Sequence, residues 1–238
     1  MRTDMPRIPL IRLMATLTFL LWAAPVAANM VIDRSIIHFA AGDPVSTDVT
    51  VANRDDEPLF IQVEVHEVIH PGTPEETRVA LSADTNLPLL VSPDKLVLAP
   101  GHKKLVRLVN LAGNGDAERV YRVTLRPVPP PAEAQQSGIR LFVAYQLLVI
   151  SSPKAGKADI RSRREADALI FENLGTANAM LHSGRQCAES RSTEGDPECV
   201  VFRGNRLYPG NVWRLQLPYS TPVDFTVAEG GRNSRRTF

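Results

Sequence analysis

The sequence predicts an all-β protein built as β-sandwiches, and three observations lead there. Short runs of β-branched and aromatic residues alternate with polar ones. Turn signals recur at the spacing of sandwich strands. No helical period of any length interrupts them in the first two thirds of the chain. The expected first strand is Met30–Phe39 (MVIDRSIIHF). Asp48–Asn53 (DVTVAN) alternates as a half-buried strand should. Asn53–Pro58 (NRDDEP) has turn composition. Leu59–Ile69 sets Leu59, Ile61, Val63 and Val65 against Phe60, Gln62, Glu64 and His66, so one of its faces is wet. Strands at 89–93, 95–98, 104–111 and 119–128 follow, with a turn at Pro100-Gly101.

The most informative stretch is Ile139–Ile150 (IRLFVAYQLLVI), a nearly unbroken apolar run after prolines 127, 129, 130 and 131. It is too short for a membrane-spanning helix, which needs ~20 residues. As a strand it exceeds the typical length of ~5–6 residues. Something must cover it, either its own protein or a partner. Ser151–Lys157 reads as a linker. Beyond it, strands are expected at 168–173, 179–183, 200–203, 213–218 and 224–227, and the basic tail 229–238 is expected to be loose.

The amino terminus has the pattern of a cleavable signal peptide over residues 1–28. Arg2, Arg7 and Arg12 precede the apolar stretch 13–22, and Pro25-Val26-Ala27-Ala28 offers small residues for cleavage after Ala28. The mature chain is then exported. Cleavage removes three arginines and one aspartate, leaving 24 basic against 25 acidic residues. That balance gives no reason to expect nucleic acid or a membrane surface as partner. The only two cysteines, Cys187 and Cys199, most simply form a disulfide in an exported protein. Closing a loop of about 13 residues contributes on the order of 3 kcal/mol, a useful staple for a domain of only ~80 residues. Without a C-x-x-C, and with only His182 nearby, a redox or zinc role is the weaker reading.

No catalytic motif is present: no G-x-S-x-G, phosphate-binding loop, G-x-G-x-x-G or H-E-x-x-H. The five histidines (38, 66, 70, 102 and 182) lack metal-ligand spacing. The acidic groups at 55–57 and 75–76 sit in turn-like sequence. An enzyme is not expected, nor a cofactor or metal.

The order of short motifs resembles the periplasmic chaperones of the chaperone–usher pilus pathway, the PapD-like family. Ile32-Asp33-Arg34 is similar to the family's opening strand. Leu98-Ala99-Pro100-Gly101 followed by Leu105-Val106-Arg107-Leu108 resembles its L-x-P-G turn and next strand. Tyr121–Pro130 resembles its F strand and proline-rich F–G loop, and Ile139–Ile150 takes the place of its G strand. In the second half, Phe171–Ala179 (FENLGTANA) resembles an N-x-G-N-a segment, and Leu207-Tyr208-Pro209-Gly210 repeats the l-x-P-G turn. The tyrosine–arginine F strand and the cysteine pair around a polar loop look like the alternative branch, which serves CS1-type and common-pilus systems.

The resemblance implies two immunoglobulin-like β-sandwich domains at an angle, boomerang-shaped, at 29–152 and 153–238. It implies a periplasmic chaperone that stabilises pilus or fimbrial subunits by donor-strand complementation and delivers them to an outer-membrane usher. The alternatives are an exported immunoglobulin-like binding module, such as an adhesin or a fimbrial subunit itself, and a secreted enzyme on a sandwich. Ile139, Leu141, Val143, Tyr145 and Leu147 would form the donor row, the first three entering the subunit. One branch of the family holds the subunit's C-terminal carboxylate with an Arg and a Lys, where this chain has Ile36 and Leu148. The expected cationic anchor therefore moves to Arg122 and Arg126, with Arg107 and Arg34 behind them. A strand as apolar as 139–150 would also allow a self-capping dimer in the free protein.

Overall fold

The computed structural model describes residues 30–82, 87–130, 142–189 and 198–238. The expected signal peptide 1–28, Ile139, Leu141 and most of the polar loop 188–198 lie outside them. All regular structure among the described residues is strand. The first half contains β1 (Met30–Ile32), β2 (Ile36–Phe39), β3 (Ser46–Asn53), β4 (Leu59–Ile69), β5 (Thr77–Ala80), β6 (Leu89–Ser92), β7 (Lys95–Leu98), β8 (Lys103–Asn110), β9 (Arg119–Val128) and β10 (Tyr145–Ser151). They form a four-stranded sheet, β1-β3-β8-β6, and a second sheet, β2-β10-β9-β4-β5, in which β7 also pairs with β4. Between the two sheets lies one apolar core, with Val49, Val51, Leu98, Val106, Leu108, Tyr121, Val123, Leu125, Leu147 and Val149 among its members.

The second half contains β11 (Ile160–Glu165), β12 (Ala168–Asn173), β13 (Ala179–Cys187), β14 (Cys199–Phe202), β15 (Asn205–Leu207), β16 (Val212–Gln216), β17 (Asp224–Glu229) and β18 (Arg232–Thr237). Its sheets run β11-β12-β16 and β14-β13-β17-β18, with β15 also on β13. Its core is aromatic. Phe171 stacks on Trp213 at 5.3 Å and meets Phe225 and Phe238 edge-on at 5.5 and 5.0 Å. Each half is thus a sandwich with its own core, as the sequence predicts.

The same backbone device closes both halves. Buried Asn53 donates from Nδ2 to the carbonyls of Glu57 and Leu98, and its Oδ1 accepts from Asp55 N–H. Buried Asn173 donates to the carbonyls of Ala177 and Leu207, and its Oδ1 accepts from Gly175 N–H. Each amide side chain satisfies a turn that would otherwise bury unpaired backbone groups. Both tie that turn to the leucine of an L-x-P-G segment, and Gly101 and Gly210 supply the positive φ there. Two of the motifs that carry the family resemblance are therefore structural.

Four expectations are corrected. Residues 30–39 are not one strand. The chain breaks at Asp33, whose carboxylate accepts from Thr50 N–H, and passes from one sheet to the other between β1 and β2. β10 starts at Tyr145 among the described residues, and residues 142–144 precede it without strand pairing. β5, β11, β15 and β18 are additional; β5, β11 and β18 are too polar or exposed to show an apolar pattern. The tail is not loose. Gly230 and Gly231, both at positive φ, turn β17 into β18. Arg235 and Arg236 pair with Asp224 and Glu229, and Phe238 reaches the aromatic core.

Candidate functional site

The site begins with the alternation of β10. Leu148 and Ile150 face outward, while Val149 and Leu147 are fully buried in the core of their own sandwich. Tyr145, two residues back, is half-buried against that core, and Val143 is 53% exposed. The core-facing row therefore runs out of its own core into solvent while remaining apolar. Leu147 corrects the expected donor row, since its side chain is wholly enclosed by its own domain.

The strand edge opens over the same residues. On one side β10 pairs antiparallel with β9 from Tyr145↔Leu125 to Ser151↔Arg119. On the other side β2 runs parallel and reaches only from Leu148↔Ile36 to Ser151↔Phe39. Leu148 N–H donates to the Ser35 carbonyl and Ser152 N–H to that of Phe39, so even-numbered residues direct their backbone groups to this side. By that alternation Gln146 points its N–H and carbonyl to an edge with no strand beside it among the described residues. An apolar row beside unpaired backbone groups is a template for another strand.

Behind this edge a row of side chains crosses the outer face of the sheet. Ile36, Leu148, Arg122 and His66 lie side by side by strand register. Arg122 is half-buried, and its Nε is enclosed with no hydrogen-bond partner. Arg126 lies on the same face of β9 but is exposed and donates to Glu64 Oε2 at 2.6 Å. The other two basic candidates are elsewhere. Arg107 is on β8 in the opposite sheet, exposed and bound to both Asp48 oxygens at 2.8 Å. Arg34 is exposed in the crossing between β1 and β2, beside Asp33. Neither stands behind Arg122, because β8 and β9 belong to different sheets of the sandwich.

The outer face of β9 and β10 also meets the second sandwich. Val68, Val120, Leu148 and Ile150 pack around Tyr208, the variable residue of the second L-x-P-G turn. The first turn has Ala99 at that place. Polar contacts flank this apolar plug. Asn211 donates to the Pro71 carbonyl at 3.0 Å. Glu118 Oε2 accepts from Asn178 N–H and Nδ2 at 3.0 and 2.7 Å. Asn178 Oδ1 accepts from Arg206 Nη1. Burial pushes the Glu118 carboxyl upward, partly offset by the Asn178 bonds, and raises the Tyr208 phenol. It also lowers Arg206, against the raising pull of Tyr208 and Glu118, with Arg122 a smaller like-charge influence. Sequence reasoning missed Glu118, Asn178, Arg206 and Tyr208 as a group, since they are distant along the chain. The one legible hint was a tyrosine in a turn that has alanine in its first copy.

Cys187 and Cys199 form the expected disulfide, with Cα atoms 4.0 Å apart across the paired strands β13 and β14. Among the described residues no group of three or more His, Cys, Asp or Glu could hold a metal ion.

Two β-sandwiches packed through a mixed apolar and polar junction, the first with a half-open strand edge, have the architecture of pilus-assembly chaperones. The chain belongs to that family: residues 29–157 match the pili and flagellar-assembly chaperones at their PapD N-terminal domain. It is 26% identical to a CS1 fimbrial subunit protein of Escherichia coli over 172 residues, covering 68% of this chain and 71% of that protein. It is also 26% identical to a CFA/I fimbrial subunit protein of Escherichia coli over 170 residues, covering 68% and 69%. The first of these relatives carries the name of the CS1-type systems to which the motifs pointed.

Among solved structures, the class 5 fimbriae chaperone CfaA matches with a TM-score of 0.63 at 22% identity, over 88% of this chain and 98% of that one. The SafB chaperone, solved with the Salmonella enterica SafA pilin, matches with a TM-score of 0.61 at 18% identity, over 90% and 98%. At such identities the likeness bears on the fold.

Proposed function

We propose that this chain is a periplasmic chaperone that captures pilus subunits by lending them a strand, and then passes them to an outer-membrane usher. In this reading residues 1–28 are removed on export, 29–152 form the capturing domain and 153–238 the second domain. The observation that carries it is the apolar row of β10, which leaves its own core at Tyr145 and continues at the exposed Val143, beyond the reach of β2. The donors are Val143 with Ile139 and Leu141. Tyr145 sits at the boundary, and Leu147 contributes only its backbone and its hold on the core. Side chains of one parity would extend the chaperone's core into the subunit while the backbone completes the subunit's sheet. Each buried aliphatic side chain contributes about 1.5–3 kcal/mol. That is firm enough for capture, yet replaceable by a better-fitting strand. Nothing in this exchange needs a nucleotide, a metal or an enzymatic step.

Arg122 is the proposed hold for the subunit's C-terminal carboxylate. It lies in one row with Leu148 and Ile36, the two places where another branch of the family carries its basic pair. Its lack of a partner at Nε suits it to that role better than Arg126, Arg107 or Arg34, each of which faces a carboxylate.

The test is periplasmic co-expression with the pilus subunit encoded beside the gene, followed by affinity capture. Val143→Asp should lower the yield of complex about tenfold or more, on the scale of ~1.4 kcal/mol per decade. Val201→Asp, at another exposed valine, should leave it unchanged. Capture by a folded Val143→Asp variant at wild-type yield would overturn the donor assignment. A wild-type protein that captures nothing would favour a stand-alone binding module.

A further inference from the structure

A disulfide that only staples a domain is inert when it lies deep among apolar groups. Cys187–Cys199 is placed otherwise. Both residues are half-buried, and the bond joins the end of β13 to the start of β14, the outermost strand of its sheet among the described residues. Backbone pairing continues on both sides of it, toward Gly184↔Phe202 in one direction and from Ala188 N–H to the Glu198 carbonyl in the other. The two strands therefore have a hold on each other that does not depend on the sulfurs.

A charge stands beside one end of the bond. Arg185 is two residues before Cys187 and so on the same face of β13. Its Nη2 donates to Cys199 Sγ at 3.2 Å. The carboxylate best placed to draw this guanidinium away is Asp224, its register partner on β17. Asp224 is already engaged at both oxygens, Oδ2 with Arg235 and Oδ1 with Thr237. A guanidinium gains little from a disulfide sulfur and much more from a thiolate. In thiol–disulfide exchange the sulfur that is better stabilised as a thiolate leaves faster, and the attacker joins the other one. Arg185 thus makes Cys199 the leaving sulfur and Cys187 the one attacked. Cys187 is itself held in place, since Thr221 Oγ1 donates to its carbonyl at 2.6 Å.

We propose that Cys187–Cys199 is a thiol-exchange site, open in the folded protein to a dithiol reductant, with Arg185 as its positioning residue. One thiolate of the dithiol attacks Cys187 Sγ. A new S–S bond forms there, the Cys187–Cys199 bond breaks, and its electron pair stays on Cys199 as a thiolate beside Arg185. The second thiolate of the dithiol then displaces Cys187. The dithiol ends as a disulfide, two electrons have passed to the protein, and the two protons the dithiol gave up are available to the two cysteines. In reverse, the Cys199 thiolate closes the bond onto a mixed disulfide at Cys187. The state of the bond sets how firmly β14 is fastened to the second sandwich. This inference is independent of the strand-donor reading, which concerns the first sandwich.

The experiment uses the full mature protein in its oxidised form. A monothiol, reduced glutathione, opens the bond, and N-ethylmaleimide traps whichever cysteine is released. Trypsin cutting after Arg191 puts the two cysteines on separate peptides for mass analysis. Glutathione should be found on Cys187 and the maleimide on Cys199. The opposite placement, or an even mixture, overturns the proposal. Fluorescence of Trp213, stacked on Phe171 in the core of this sandwich, is followed alongside. It should keep its native spectrum while the bond opens. Opening only as the native spectrum is lost would show a bond exposed by unfolding, and that too overturns the proposal.

Arg185→Met and Arg185→Lys separate the charge from the packing. With dithiothreitol, Arg185→Met should be reduced about threefold or more slowly than the wild type, and with glutathione its adduct should spread over both cysteines. Arg185→Lys should keep the preference for Cys187. Unchanged rate and placement in folded Arg185→Met would remove Arg185 from the role and overturn the proposal.

Discussion

Glu118 shows how one residue's surroundings set its chemistry. It comes just before β9 and bonds Asn178 of the second sandwich, sixty positions along the chain. Burial raises its pKa above the ordinary 4.5, against the opposing pull of Asn178 and Arg206. A carboxyl with a raised folded pKa holds its proton more tightly in the folded state. Its contribution to stability is complete below the unfolded pKa and is lost as pH rises through the folded value. As pH falls from 7 toward 4.5, the wild type should therefore gain stability relative to Glu118→Gln. Urea unfolding of both proteins at several pH values checks this, and parallel curves would show that Glu118 is not desolvated. Its importance is invisible in sequence, where it stands among ordinary loop residues. The apolar character of Val143, by contrast, is legible, because a side chain within an apolar run is a local fact. Leu147, in the same run and of the same parity, differs only in how far the opposite sheet extends over it.

At the scale of elements, alternation was the reliable guide. Leu59–Ile69 and Arg119–Val128 stand as strands with the bounds the sequence suggested. Each has one face on a core, which imposes a period of two. β18 has no such face, so its sequence reads as a loose tail. Pairing with β17, two ion pairs and Phe238 hold it in place instead. β13 carries a different constraint. It has an irregular register against β17 between Leu181 and Gly184. A Cβ at Gly184 would collide with Cζ of Phe225. That ring is held by Phe171, Trp213 and Phe238 and has little room to turn. Gly184→Ala should destabilise the protein by about 1–3 kcal/mol through overpacking, read as a lower denaturation midpoint. An unchanged midpoint would mean that the aromatic cluster can shift as a unit.

For the whole molecule, the junction between the sandwiches is the decisive feature. Tyr208 is the plug, enclosed by Val68, Val120, Leu148 and Ile150. Gly72, at positive φ, leaves space for it: a Cβ there would be 3.2 Å from the Tyr208 ring and 2.8 Å from Asn211 Oδ1. Tyr208→Ala should remove about 2–5 kcal/mol of coupling between the halves. Small-angle scattering should then show a broader distribution of interdomain distances. An unaltered profile would assign the coupling to the Asn211–Pro71 and Glu118–Asn178 bonds alone.

The fold class, the strands with one wet face, the cysteine pair and the family can all be read from the chain, because each is encoded in local periodicity or in short motifs. It also marked the apolar run before Ser151 as the place to look. The folded chain alone reveals which part of that run is core and which lies outside it, that Arg107 is on the opposite sheet, and that Glu118 meets Asn178 across the junction. Those outcomes depend on where β2 stops and on which faces meet across the junction. Such contacts join residues far apart in the chain, and no local pattern of side chains specifies them.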